Sequence, residues 1–178
     1  AVRHGLEVAG CVDFDVLDGV EEFLYAGDVL GIKTVAGVET RVFVPEFSSK
    51  VLNSPKEPGI AYYMGAGCVG MPERGGAAAA MIGRLKETAR ARNEAMVEKI
   101  NAHLDRVRLD YARDVLPLTP SGNATERHLL AAYERKARES FRGDAEGLAA
   151  FWAEKLGSSP AEIKGMIDDS ARFHERIR

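Results

Sequence analysis

Along residues 1–72, short apolar runs alternate with turn residues, and the spacing predicts strands and helices in alternation. Leu6 to Val12 is a near-continuous apolar run, the pattern of a strand buried on both faces by helices. Asp18-Gly-Val-Glu21 has the form of a capping box, with the Asp18 carboxylate accepting from first-turn amides. The helix it opens carries Val20, Phe23, Leu24 and Leu30, and Gly31 is placed to end it in a left-handed conformation. A second strand runs from Ile32 through Val38 and continues to Val44, before Pro45. Strand, helix and strand in this order make a βαβ unit. Residues 46–58, with Pro55 and Pro58, read as a loop, and Ile60 to Met64 as a further strand.

Near residue 75 the period changes. Ile82, Leu85, Ala89, Met96, Ile100, His103 and Val107 recur at helical spacing with charges between them, which predicts one long amphipathic helix. Asn123-Ala-Thr-Glu126 is a second capping box, opening a helix to about Lys136. Another helix is predicted from Asp144 to Leu156, stopped by Gly157. A last one is capped by Ser159, with Pro160 at its first position, where a missing N–H is harmless. The chain thus divides into an α/β segment, 1–72, and a helical module, 73–178, without internal repeats. Its opening residues read as the inside of a helix, which suggests an excerpt of a longer protein.

Composition narrows the function classes. A net charge of −3 gives no general attraction to nucleic acid or anionic lipid, and no apolar run is long enough to span a bilayer. Cys11 and Cys68 lack metal or redox spacing and read as reduced thiols, which points to the cytoplasm. Arg84, Lys86, Arg90 and Arg92 alternate with Glu87 and Glu94 and have no aromatic residues among them. That is a solvated helix face rather than a platform for duplex or single-stranded nucleic acid.

The candidate chemistry is acidic. Asp13 and Asp15 follow the first strand and Glu39 lies near the end of the second, where ligands gather in α/β folds. Three converging carboxylates need a cation, and hard oxygen ligands suit Mg or Mn, with Zn if histidines join. The simpler alternative is that Asp15 and Asp18 cap the helix while Glu39 pairs with Arg41 or Lys33. Gly65-Ala-Gly-Cys-Val-Gly70 spells a dinucleotide-binding turn, but Pro72 and Gly75-Gly76 follow it, so it reads as a connecting loop. His4 and His174 sit on polar stretches and are expected in solvent; His103 falls on the apolar stripe and is expected in the core.

Gly5-Leu-Glu-Val-Ala-Gly-Cys-Val-Asp-Phe-Asp-Val-Leu-Asp-Gly19, Ala26-Gly-Asp-Val-Leu-Gly-Ile32 and Ala36-Gly-Val-Glu39 together resemble the PHP (polymerase and histidinol phosphatase) family. That pattern is a Gly-Leu strand ending in Thr-Asp-His-Asp, then Leu-Asp-Gly, a helix, Gly-Ile and Pro-Gly-Val-Glu. A weaker resemblance, over Leu118 to His128, is to the Arg-Pro-His stretch of the family's helical insertion. The resemblance implies an α/β fold, part of a distorted (β/α)7 barrel with a helical insertion, and metal-dependent phosphoester hydrolysis. It implies metal ligation by Glu39, Asp13 and Asp15. His128 shares in the weaker resemblance and sits in the first turns of a capped helix, where Asn123 and Arg127 can help it bind a substrate phosphate, against a purely structural role. Phe14 stands where the family has a histidine, and Tyr62 aligns loosely with another. The implied activity is that of a phosphoesterase on a small phosphorylated substrate, a nucleotide or short oligonucleotide, using divalent metal ions. The alternative is a catalytically inactive PHP-like domain that binds a ligand or partner.

Overall fold

The computed structural model describes residues 1–178, which divide into two compact units, 1–88 and 89–178. The boundary falls inside one long helix. No helix is long and apolar enough to cross a membrane.

The first unit is built on three strands. β1 (Val8–Phe14) runs parallel to β2 (Lys33–Phe43), in register from Val8 opposite Lys33 to Phe14 opposite Glu39. α1 (Val20–Leu30) connects them and stops at Gly31, whose φ of 65° is the left-handed conformation expected of it. β3 (Ile60–Cys68) lies on the other side of β2 and runs antiparallel to it. α2 (Ala77–Leu104) then begins.

This sheet corrects the expectation of a (β/α)7 barrel. It is an open sheet of three strands in the order β1-β2-β3, too small to close. A barrel needs every strand parallel, each reached through a covering helix. The β2–β3 connection contains only a 3-10 turn at Pro45–Phe47 and a bridge between Val51 and Pro58, so the chain doubles back antiparallel. The glycine-rich run is not a connecting loop either, because Gly65 to Cys68 belongs to β3.

Alternation gives the sheet two unlike faces. One face presents Ala36, Val38 and Cys68 to Leu17, Val20, Phe23, Leu24 and Ile82, forming a small core against the helices. On the other face lie Val8, Val12 and Phe14 of β1, Val35, Glu39, Arg41 and Phe43 of β2, and Tyr62 and Met64 of β3. Most of the apolar side chains there are exposed, Phe43 and Met64 each by 57%.

The second unit is helical: the later part of α2, then α3 (Glu126–Ser140), α4 (Ala145–Leu156), and, in place of the single last helix expected after Ser159, two short ones, α5 (Pro160–Lys164) and α6 (Ser170–Ile177). Asp144, Ser159 and Asp169 cap the last three by accepting from backbone amides. A π-helical turn at Tyr111–Val115 lies between α2 and α3. The core gathers Val107, Val115, Leu129, Ile163 and Phe173, with Trp152 in edge contact with Phe151 and Phe173.

Candidate functional site

β1 ends at Phe14, and the chain turns at Asp15 with a φ of 62°, a left-handed conformation that Asp tolerates better than most residues. Two bonds hold it there. The Asp15 amide donates to the Glu39 carbonyl at 2.8 Å, and its buried carboxylate accepts from the Thr40 hydroxyl at 2.6 Å. Asp13 points to the same side of the sheet; its Oδ2 lies 3.1 Å from where a Cβ on Gly19 would stand, against the first residue preceding α1. Asp18 does not cap α1, whose N-cap is Gly19; it accepts from Lys86 Nζ at 2.6 and 2.7 Å. The thiol of Cys11 lies on this face too, and burial, helped by the charge of Asp13, raises its pKa above the ordinary value.

Glu39 points the other way. It stands opposite Phe14 in one ladder and Met64 in the other, and so shares their face rather than that of Asp13 and Thr40. The three carboxylates reach the same end of the sheet on opposite faces, and no group of three His, Cys, Asp or Glu side chains is close enough to hold a metal ion. These residues do not fit the divalent cation set that the resemblance implies.

What surrounds Glu39 is aromatic and apolar. The rings of Phe14 and Tyr62 meet with centroids 6.0 Å apart and planes tilted by 51°. Their strands flank β2, and neighbouring strands lie about 4.8 Å apart. The ring centroids are therefore nearer each other than their backbones, so both rings lean over β2 beside Glu39 and Arg41. The half-buried Glu39 carboxylate has no hydrogen-bond or ion-pair partner. Arg41, two residues on, instead pairs with Glu57, which also accepts from the buried Ser54 hydroxyl. Arg41 Nε is buried without an acceptor. Asn53 locks Tyr62 from the loop, accepting from its amide at 2.7 Å and donating to its carbonyl at 3.2 Å.

Sequence reasoning missed Asn53, Ser54 and Glu57. Their signal was faint: a Pro-bounded polar loop whose asparagine imitates a strand partner.

Asn123, Arg127 and His128 belong to the second unit. The N-cap of α3 is Thr125, not Asn123, and His128 takes the third helical position. His128 Nδ1 accepts from the Thr125 amide at 3.0 Å, closing a capping box in which imidazole replaces the usual carboxylate. Arg127 is exposed. The imidazole thus has a structural task at the start of its own helix. His103 is exposed rather than in the core, with Nε2 3.3 Å from the Lys155 carbonyl. His174 is half-buried rather than in solvent, its Nε2 2.8 Å from Glu134 Oε2. A groove of about 380 Å³ along α3 is lined by arginines and glutamates, but Arg138 bonds Glu134, and Arg135 pairs with Glu139.

No family model, curated protein or solved structure matches the chain.

Proposed function

We propose that this chain carries a PHP-like domain that binds a ligand on the Glu39 face and has lost metal-dependent phosphoester hydrolysis. One observation carries the reading. Of the positions where the resemblance expects metal ligands, Phe14, Glu39 and Tyr62 share one face, and the two that are no longer histidine are in ring contact beside the third. A phenylalanine ring offers no donor atom, and Glu39 alone leaves Mg or Mn a single carboxylate on a largely apolar face, with water to supply the rest of the shell. The face is largely apolar, with Arg41 paired to Glu57 and the Glu39 carboxylate unpaired.

The rival reading, a metal-dependent phosphoesterase acting on a nucleotide or short oligonucleotide, is favoured by the retained carboxylate of Glu39. Elemental analysis after incubation with Mn, Mg or Zn, with hydrolysis of bis(p-nitrophenyl) phosphate, separates the two. Wild type is expected to retain no stoichiometric metal and to show no hydrolysis that Glu39→Gln removes. The double variant Phe14→His/Tyr62→His is expected to gain retained metal. Stoichiometric metal in wild type, with hydrolysis abolished by Glu39→Gln, would establish the phosphoesterase instead.

A further inference from the structure

The Glu39 face combines three properties that together restrict its ligand. The first is the unpaired carboxylate. Arg41, the nearest cation on the same face, is engaged by Glu57. Lys33 lies six residues back along the same strand, about 20 Å away at strand rise. The second is the aromatic pair of Phe14 and Tyr62 leaning over β2. The third is the apolar surround: Met64 directly opposite Glu39, with Val12 and Val35 on the same face, exposed by 57%, 39% and 42%.

Any occupant that covers this face removes water from the Glu39 carboxylate. An ionised carboxylate withdrawn from water without a counter-charge is strongly unfavourable, so a neutral or anionic apolar ligand is selected against. A cation answers the charge, and an aromatic ring attracts it further through its quadrupole. A bare metal ion suits the site poorly, because the face offers it a single carboxylate with the Arg41 guanidinium two residues away. An organic ammonium spreads its charge over alkyl groups and needs no such shell.

We propose that the Glu39 face binds a small amphiphilic amine, its ammonium group on Glu39 against the Tyr62 ring and its apolar body across Met64, Val12 and Val35. This assignment rests on the reading of the face as a ligand site without metal, and names the class of ligand.

The test titrates the whole chain with hexylammonium, hexanol and hexanoate, following side-chain NMR signals of Tyr62 and Met64. Hexylammonium is expected to saturate and to bind at least ~10-fold more tightly than hexanol, the scale of one ion pair supplemented by a cation–π contact. Glu39→Gln should erase that preference, weakening the amine and tightening hexanol, whose binding then no longer dehydrates a carboxylate, and Tyr62→Leu should reduce it. Far-UV circular dichroism of each variant checks that the sheet is intact. Equal binding of amine and alcohol by wild type, a preference that survives Glu39→Gln, or no saturable binding of the amine would each overturn the proposal. None of those results restores metal or hydrolysis, so the ligand class can fail while the reading of a metal-free site stands.

Discussion

At the scale of single residues, the helical unit depends on polar groups that the hydrophobic pattern ranks as errors. The buried stripe of α2 is Ala89, Asn93, Val97, Asn101 and Leu104; of the line that apolarity selects, Ala89 lies on this stripe, Val107 is buried just beyond the helix and Ile100 packs against the core, while Met96 and His103 are exposed. Both asparagines are satisfied. Asn93 donates to the Ala124 carbonyl at 2.7 Å. Asn101 holds both backbone groups of Leu109 at 2.8 Å and accepts from the Tyr133 hydroxyl at 3.0 Å. Removing this amide strands the N–H and C=O of Leu109, each at a cost of ~1–3 kcal/mol, while the Tyr133 hydroxyl keeps the Val97 carbonyl, so Asn101→Leu should lower unfolding free energy in urea by about 2–4 kcal/mol. A variant as stable as wild type would show that the amide network contributes nothing. Such partners lie far along the chain, which is why they could not be read locally. The same holds for His174, whose partner Glu134 is 40 residues away.

Tyr133 adds a pH dependence to this network. Burial pushes its phenol well above the ordinary value of 10.0. The folded state therefore favours the neutral phenol. Its contribution is complete below the unfolded pKa, near 10, and is lost as the pH rises beyond it, because the unfolded chain ionises first. Unfolding free energy followed through pH 10 should fall for wild type more steeply than for Tyr133→Phe. Parallel curves would remove Tyr133 as the cause.

At the scale of elements, local pattern identified nearly every helix and strand, and long-range contacts then displaced their ends. The first strand starts and ends two residues later than its apolar run, which brings Asp13 into the ladder opposite Val38. Asp18 serves Lys86 instead of α1, and the cap of α3 moves from Asn123 to Thr125. The direction of β3 has no local signature, because alternation reads alike in both directions. The absence of a helical pattern between residues 44 and 59 was the available clue. The β2–β3 contact now depends on Gly37, beside a register shift, where an added Cβ would lie 2.4 Å from the Gly65 carbonyl oxygen. Overpacking there should make Gly37→Ala less stable by about 1–3 kcal/mol and open the β2–β3 ladder. Gly10→Ala serves as control, because its Cβ would meet only the Val35 carbonyl, at an ordinary 3.7 Å. Hydrogen exchange of the Thr40 and Val42 amides reports the difference; equal protection in both variants would mean the close approach relaxes without consequence.

At the scale of the whole molecule, the two units differ in how much apolar surface they bury, and that difference predicts how the chain opens. The buried centre of the first unit is Leu17, Val20 and Ala36, with a few half-buried neighbours, and one sheet face is largely left to solvent. The second unit packs Trp152, Phe151, Phe141, Phe173, Leu129 and Ile163 into one continuous core. Burial contributes about 25 cal/mol per Å² of apolar surface, so the helical unit holds much the larger share of that stabilisation. Three strands with a single covered face stand near the lower limit for independent stability. Regions with few buried apolar contacts open at lower free energy than well-packed ones. Amides of β1 and β3 should therefore exchange before those of α3 and α4 in native-state hydrogen exchange. Trp152, the only tryptophan, sits in the helical core, so its fluorescence reports that unit alone. In urea, the Trp152 transition should come at higher denaturant than the loss of protection in the strands. A ligand on the Glu39 face should move the strand transition toward it and leave the tryptophan transition in place. Strands that outlast α3 and α4 in exchange would show that the sheet draws its stability from something other than its own small core.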